Sequence, residues 1–222
     1  MRFAYSDSGY ARLGLTGNPF VAEAEPGVVP ELWIARAGVP PPPQPAHRTL
    51  VQLIGPKGAG KTSHLLRWRE AAPGPYHYVP PGRGRWRRPP IAPLVYWDEA
   101  DRMAAATRRW ALRQAFRRGA TVVAGTHEDL SGVARASGLE VVTYEFPALS
   151  PAALQAWSRL RIEAVALPGR TSTLVLDPVT ARDICLRAGA SLRDAAVDLH
   201  IWAAERAAAR QAGAHAPVDP GE

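Results

Sequence analysis

Gly55-Pro56-Lys57-Gly58-Ala59-Gly60-Lys61-Thr62 is reached from the apolar run Leu50-Val51-Gln52-Leu53-Ile54 and followed by Ser63-His64-Leu65-Leu66-Arg67-Trp68. The octapeptide satisfies G-x-x-x-x-G-K-[ST] without a gap, with a strand pattern before it and a helical pattern after it. Four residues between the glycines let the backbone wrap a phosphate, its N–H groups aimed inward and a helix N-terminus behind them. The spacing predicts a nucleotide cradle made of Gly55, Pro56, Lys57, Gly58, Ala59, Gly60, Lys61, Thr62 and Ser63. Lys61 would reach the β- and γ-phosphates, and Thr62 would offer a hydroxyl to Mg²⁺. Lys57 and Lys61 are the only lysines in the chain, arginine supplying every other basic residue. A site that needs a compact, flexible point charge retains lysine where a guanidinium fork would fit less well.

A second landmark is Leu94-Val95-Tyr96-Trp97-Asp98-Glu99, an apolar strand that ends in two carboxylates. It reads as a Walker B strand. Asp98 would join Thr62 in holding Mg²⁺, and Glu99 would polarise a water for attack on the γ-phosphate. Asp98-Glu99-Ala100-Asp101 invites comparison with DEAD-box helicases, but such an enzyme needs two RecA-like domains and 222 residues hold one.

Further apolar segments at Tyr76–Val79, Thr121–His127 and Val141–Phe146 bring the strands to five. Helical or loop crossovers separate them, which predicts a parallel sheet with covered faces and a ligand site at the strands' carboxyl ends. Helical spacing runs from Asp101 to Arg118, and Pro30 to Gly38 has the terminal signals of a short helix. Pro40–Pro43 within 39–47 implies a stiff polyproline connection. From Ser150-Pro151 the pattern changes to helices: Ser150 caps the first, Pro168-Gly169 interrupts it, a short β segment is expected at Thr173–Leu176, Asp177-Pro178 opens a second helix, and Gly189-Ala190 turns into the last. The expected organisation is an α/β P-loop NTPase domain over 1–149, a small α-helical lid domain over 150–212 and a disordered tail over 213–222.

Between Pro80 and Pro90 lie Arg83, Arg85, Arg87 and Arg88 with Trp86 among helix breakers, so this segment is expected to be free of helix. Guanidiniums interleaved with an aromatic suit phosphate contact and base stacking, and a solvated basic loop is the alternative. A formal charge of +7 makes a polyanionic partner reasonable without selecting one. Cys185 is the single cysteine, which excludes a disulfide framework and a cysteine-based metal site within the chain. No uncharged run approaches bilayer-spanning length and Met1–Asp7 has no apolar leader, so a cytoplasmic protein without a membrane span is expected.

In this order the parts resemble the AAA+ ATPases, and especially the short bacterial ones of the ExeA and TniB kind; the likeness covers nearly the whole chain. Gly17-Asn18-Pro19-Phe20 is similar to the family's N-terminal turn, which implies that Leu15 and Phe20 lie near the adenine. The resemblance makes Thr126 the sensor 1 residue, with His127 as alternative, and Arg193 the sensor 2 arginine. Arg135 stands roughly where the family has its arginine finger, with Arg117 and Arg118 as competitors. The short segment at 80–93 departs from the family, which usually has a longer stretch with its own helix there. Three functions follow for comparison. One is an ATPase that forms a homo-oligomer or hetero-complex and hydrolyses ATP with Mg²⁺ to drive or gate assembly on a partner, nucleic acid first among them. The others are a nucleotide-gated switch with little turnover and a P-loop kinase, against which the tandem acids Asp98-Glu99 argue.

Overall fold

The computed structural model describes residues 9–21, 33–36, 38–42 and 47–212. Contacts divide the chain into two compact units, one of residues 35–148 and one of residues 1–34 with 149–222.

The first unit is an α/β sheet. β1 (Thr49–Ile54), β2 (Tyr76–Tyr78), β3 (Leu94–Asp98), β4 (Thr121–Thr126) and β5 (Glu140–Glu145) lie in the order β2-β3-β4-β1-β5, and every pairing is parallel. β1 is thus flanked by β4 and β5, with Leu50 opposite both Val122 and Val141. Alternation sends successive side chains to opposite faces. Val51 and Leu53 face Leu65 and Trp68 of α2 (Lys61–Ala71), in a core shared with Tyr96 and Val123. Leu50, Val95, Trp97 and Val122 face the other way, onto Ala111, Leu112 and Ala115 of α3 (Ala105–Arg117) and Ala134 of α4 (Ser131–Arg135). Covered on both faces, the central strands β1, β3 and β4 are buried almost throughout, as their continuous apolar runs require. The five-stranded parallel sheet is therefore present as the spacing predicts.

The second unit is helical. α5 (Pro151–Ala164), α6 (Pro178–Ala188) and α7 (Leu192–Ala212) pack around Leu154, Trp157, Ile184, Leu199 and Trp202. Two of these helices start where local chemistry says they should. Ser150 Oγ accepts from Ala153 N at 3.2 Å, Asp177 accepts from Val179 N and Thr180 N, and proline follows each cap.

Several expectations are corrected. Residues 9–21, expected in the nucleotide-binding domain, group with the helices because Leu13, Leu15 and Phe20 bury there and α1 (Gly9–Arg12) packs on α7. Approach is so close at Gly9 that a Cβ would stand 2.0 Å from the Ala207 carbonyl oxygen. Trp33–Arg36 are not helical, and the remainder of the short helix expected over 30–38 lies largely outside the described residues, as do part of the polyproline connection and the 213–222 tail. Gly82–Trp86 form a 3₁₀ helix in the segment expected to lack one; this tighter turn runs between the prolines rather than through them. Thr173–Leu176 have no strand partner, and instead Leu174 and Leu176 insert into the helical core. The helix after β3 starts late, a 3₁₀ turn at Ala100–Arg102 preceding α3. No described helix is long and apolar enough to cross a membrane.

Candidate nucleotide-binding site

β1, an inner strand of the sheet, hands the chain to α2 through residues 55–60 at its carboxyl end. Gly58 (φ 84°) and Gly60 (φ 98°) take left-handed conformations that fold the loop back over the start of α2. One turn on, His64 Nδ1 lies 3.0 Å from the Gly60 carbonyl oxygen. A carbonyl only accepts, so Nδ1 carries the proton. Burial pushes this imidazole down to about 4, and its ring meets Phe146 edge-on at 4.9 Å.

Lys61 Nζ donates to the carbonyls of Gly55 at 2.7 Å and Pro56 at 3.0 Å, and stands 3.4 Å from His127 Nδ1. Desolvation lowers its pKa, opposed by the carboxylates of Glu99, Asp98 and Asp101. At the end of β3, Asp98 is 1% exposed. Its Oδ2 accepts from Thr62 Oγ1 and from the Tyr76 hydroxyl, both at 2.8 Å, and its Oδ1 accepts from Glu99 N at 3.1 Å. Burial raises this carboxyl while the Tyr76 and Thr62 hydrogen bonds pull it back. An oxygen pair of one hydroxyl and one carboxylate at this separation suits a small hard cation that completes its shell with phosphate oxygens and water. Behind it, β4 passes so close that a Cβ on Gly125 would lie 3.0 Å from Asp98 Oδ1 and 3.0 Å from Leu65 Cδ1.

Glu99 takes φ 57°, ψ 42°, a left-handed conformation rare for a residue with a side chain. Its carboxylate, largely buried, has Oε2 at 3.0 Å from both Arg102 Nη2 and His127 Nε2. Asp101 Oδ1 in turn accepts from His127 N at 3.1 Å. His127 thus links Glu99 and Asp101 to Lys61. With the ammonium donating to Nδ1, Nε2 holds the ring proton and donates to Glu99. Thr126, the other sensor 1 candidate, is fully buried, and its hydroxyl donates to Glu128 O at 2.7 Å and accepts from Glu128 N at 3.1 Å. Its hydroxyl closes a turn; the ring next to it faces Lys61.

The other expected residues are placed less centrally. Phe20 is 3% exposed, its ring set against Trp157 at 6.0 Å and Trp202 at 6.4 Å inside the helical unit. Committed to that packing, it offers no face to an adenine, and Leu15 is fully buried in the same core. Lys57, Arg135 and Arg193 are exposed: Lys57 on the loop, Arg135 at the end of α4 and Arg193 in the first turn of α7. Arg117 is exposed on α3, whereas Arg118 is tied to the Ile91 carbonyl at 3.2 Å. Arg83, Arg85, Arg87 and Arg88 are exposed, with Trp86 at 62%.

Three contributors carry no local signal. Tyr76 reaches Asp98 because β2 pairs beside β3. Gln52, buried in β1, binds Asp129 Oδ1 at 2.6 Å and accepts from Leu130 N at 2.9 Å, fixing the loop after β4. Arg36 is buried with its guanidinium 5.6 Å from the Phe146 ring centre, donating to the carbonyls of Ala59, in the phosphate loop, and Pro147. A basic residue before β1 reads as surface until the tertiary structure folds it under the loop.

No protein-family model and no curated protein matches this chain. Among solved structures it is similar to those of RuvB from Thermotoga maritima, described as a Holliday junction branch migration motor, at 18% identity and a TM-score of 0.45. Two variants of RuvB, one threonine-to-valine and one alanine-to-serine, give 18% and 16% identity with TM-scores of 0.46 and 0.45. In each case the match covers 67% of this chain and 52% of the other, so the chain spans about half the length of those proteins.

Proposed function

We propose that this chain is an AAA+-type ATPase that binds ATP with Mg²⁺, hydrolyses it, and uses nucleotide state to drive or gate assembly on a macromolecular partner, a nucleic acid. The observation that carries the reading is the 2.8 Å bond from Thr62 Oγ1 to Asp98 Oδ2, which joins the phosphate loop to the acid-ended strand with Lys61 and Glu99 on either side. Thr62 and Asp98 are the residues that would hold Mg²⁺, and the ion, when bound, neutralises charge on the β- and γ-phosphates. Lys61 binds the phosphates, Glu99 orients and deprotonates the attacking water, and His127 senses the γ-phosphate as the strand-end residue that touches both. The strand order β2-β3-β4-β1-β5 and the helical unit after it support the AAA+ reading. Partner contact is assigned to Arg83, Arg85, Trp86, Arg87 and Arg88, and the trans-acting arginine to Arg135.

A second reading, the nucleotide-gated switch with little turnover, draws on the double hold on Glu99 by Arg102 and His127. The deciding experiment is ATP turnover of the wild type with and without single- and double-stranded DNA, beside Lys61→Ala and Glu99→Gln. Lys61→Ala should lose ATP binding, and Glu99→Gln should bind ATP without turning it over. Undiminished turnover in Glu99→Gln overturns the reading, and ATP binding with negligible turnover in the wild type selects the switch. Phosphate moved to an acceptor rather than to water would mark a kinase.

A further inference from the structure

Helix α3 carries Arg109, Arg113 and Arg117 at four-residue spacing, all exposed, and it contains no Asp or Glu from its first residue to its last. No described carboxylate forms an ion pair with any of the three. They line one shallow groove together with Ala106, Trp110 and Gln114. The apolar side of α3, with Ala111, Leu112 and Ala115, is spent on the sheet, so packing does not account for the stripe. An exposed helix usually intersperses acids among its basic residues for i,i+4 support, and three like charges one turn apart repel one another instead. A surface that retains this repulsion is relieved when an anion lies along it.

Two contacts tie α3 and its start to the basic segment 83–88. Arg88 places its guanidinium 4.6 Å from the centre of the Trp110 ring, and Ala104 N, just before α3, donates to the Arg85 carbonyl at 3.0 Å. Helix and loop therefore present one positive surface within the sheet unit. From Arg109 to Arg117 the axis rises about 12 Å, at 1.5 Å per residue, which covers roughly three to four phosphates of one strand at a 3.4 Å rise. Being fixed by a helix rather than a loop, the three charges keep that spacing before any ligand arrives.

We infer that α3 is a phosphodiester-binding rail for a nucleic-acid duplex, with Arg109, Arg113 and Arg117 each on a backbone phosphate and Gln114 in the same groove. The inference rests on the nucleic-acid part of the reading above and extends it from the basic segment 83–88 to a rigid helix. Backbone contacts of this kind confer affinity and register without sequence preference.

The test is fluorescence anisotropy of a labelled mixed-sequence DNA duplex across a salt series, with ATP present. It compares the wild type, the triple Arg→Gln variant at 109, 113 and 117, the triple Arg→Lys variant, and the fourfold Arg→Gln variant at 83, 85, 87 and 88. The expected result is that the α3 Arg→Gln variant flattens the slope of log K against log salt by roughly 0.9 per arginine, about 2.7 in all, while Arg→Lys preserves it. Circular dichroism and binding of a fluorescent ATP analogue should match wild type, since the stripe touches neither the core nor the phosphate loop. Wild-type affinity and slope in the α3 Arg→Gln protein overturn the rail; if the fourfold variant then loses binding, the nucleic-acid reading survives without it. A wild type that binds ATP but no duplex overturns the rail and the nucleic-acid partner together, leaving the nucleotide site intact and pointing to an acidic protein surface.

Discussion

His127 Nε2 lies 3.0 Å from Glu99 Oε2, and Arg102 Nη2 reaches the same oxygen at the same distance. A carboxylate that accepts from two donors is oriented but also restrained, and the ring holding it is within 3.4 Å of the Lys61 ammonium. Loss of that ring should therefore affect the chemical step more than ATP binding. His127→Ala is expected to lower kcat by about 10²-fold, the scale for removing one positioned donor, with ATP affinity little changed. Single-turnover kinetics beside a nucleotide-analogue titration checks this. Full activity in His127→Ala, with a loss in Thr126→Ala, would return the sensing role to the buried threonine.

Arg135 ends α4 exposed, and among the described residues no ion pair joins it to a carboxylate. If it acts on a neighbouring copy, specific ATPase activity should climb with protein concentration and saturate. Arg135→Ala should then abolish that climb, since arginine fingers contribute roughly 10³ to 10⁵ in rate. ATP affinity should stay at the wild-type level. Activity flat across concentration, with a monomer by sedimentation in ATP, would remove the finger from Arg135.

Gly125→Ala tests the packing of β4 behind the acid. The added Cβ would meet Asp98 Oδ1 and Leu65 Cδ1, each at 3.0 Å, so one of them must shift. A destabilisation of about 1–3 kcal/mol is expected from denaturant unfolding, the usual scale for overpacking a close-fitted site. The Mg²⁺ concentration needed for half-maximal activity should rise as well. An unchanged midpoint and an unchanged Mg²⁺ dependence would mean that the site yields freely there.

His64 gives the fold a defined pH response. Its imidazole ionises near 6.5 when unfolded and is held down to about 4 by burial in the native chain. Between those values the unfolded chain binds more protons, so stability rises with pH through this window and the contribution is lost as pH falls from about 6.5 to about 4. The full difference is about 3 kcal/mol at 1.36 kcal/mol per unit. Urea unfolding of the wild type and His64→Leu from pH 4 to pH 7 should show a gap between the two proteins that changes by that order. Parallel pH profiles would mean the wild-type ring already titrates normally in the native state.

The five strands, the loop from Gly55 to Thr62 and the caps at Ser150 and Asp177 were legible from residue order, because each rests on local spacing: apolar alternation, a phosphate loop of set length, or a side chain that bonds its own backbone. The pairing of Asp98 with Thr62 followed from the same motifs, since β1 and β3 end on the same carboxyl edge of the sheet with only β4 between them. The family resemblance put Thr126 first as sensor 1, with His127 as the alternative. Tertiary structure separated them, because a strand that ends in a turn buries one polar side chain against its own backbone and frees the next. Tyr76, Gln52 and Arg36 became part of the site only through folding, which brings residues 22 to 77 positions apart within hydrogen-bond range. Phe20 moved the other way. Its turn residues specify a tight bend at any location, whereas the partners of the buried ring, Trp157 and Trp202, lie more than a hundred residues downstream, and no periodicity encodes such a contact.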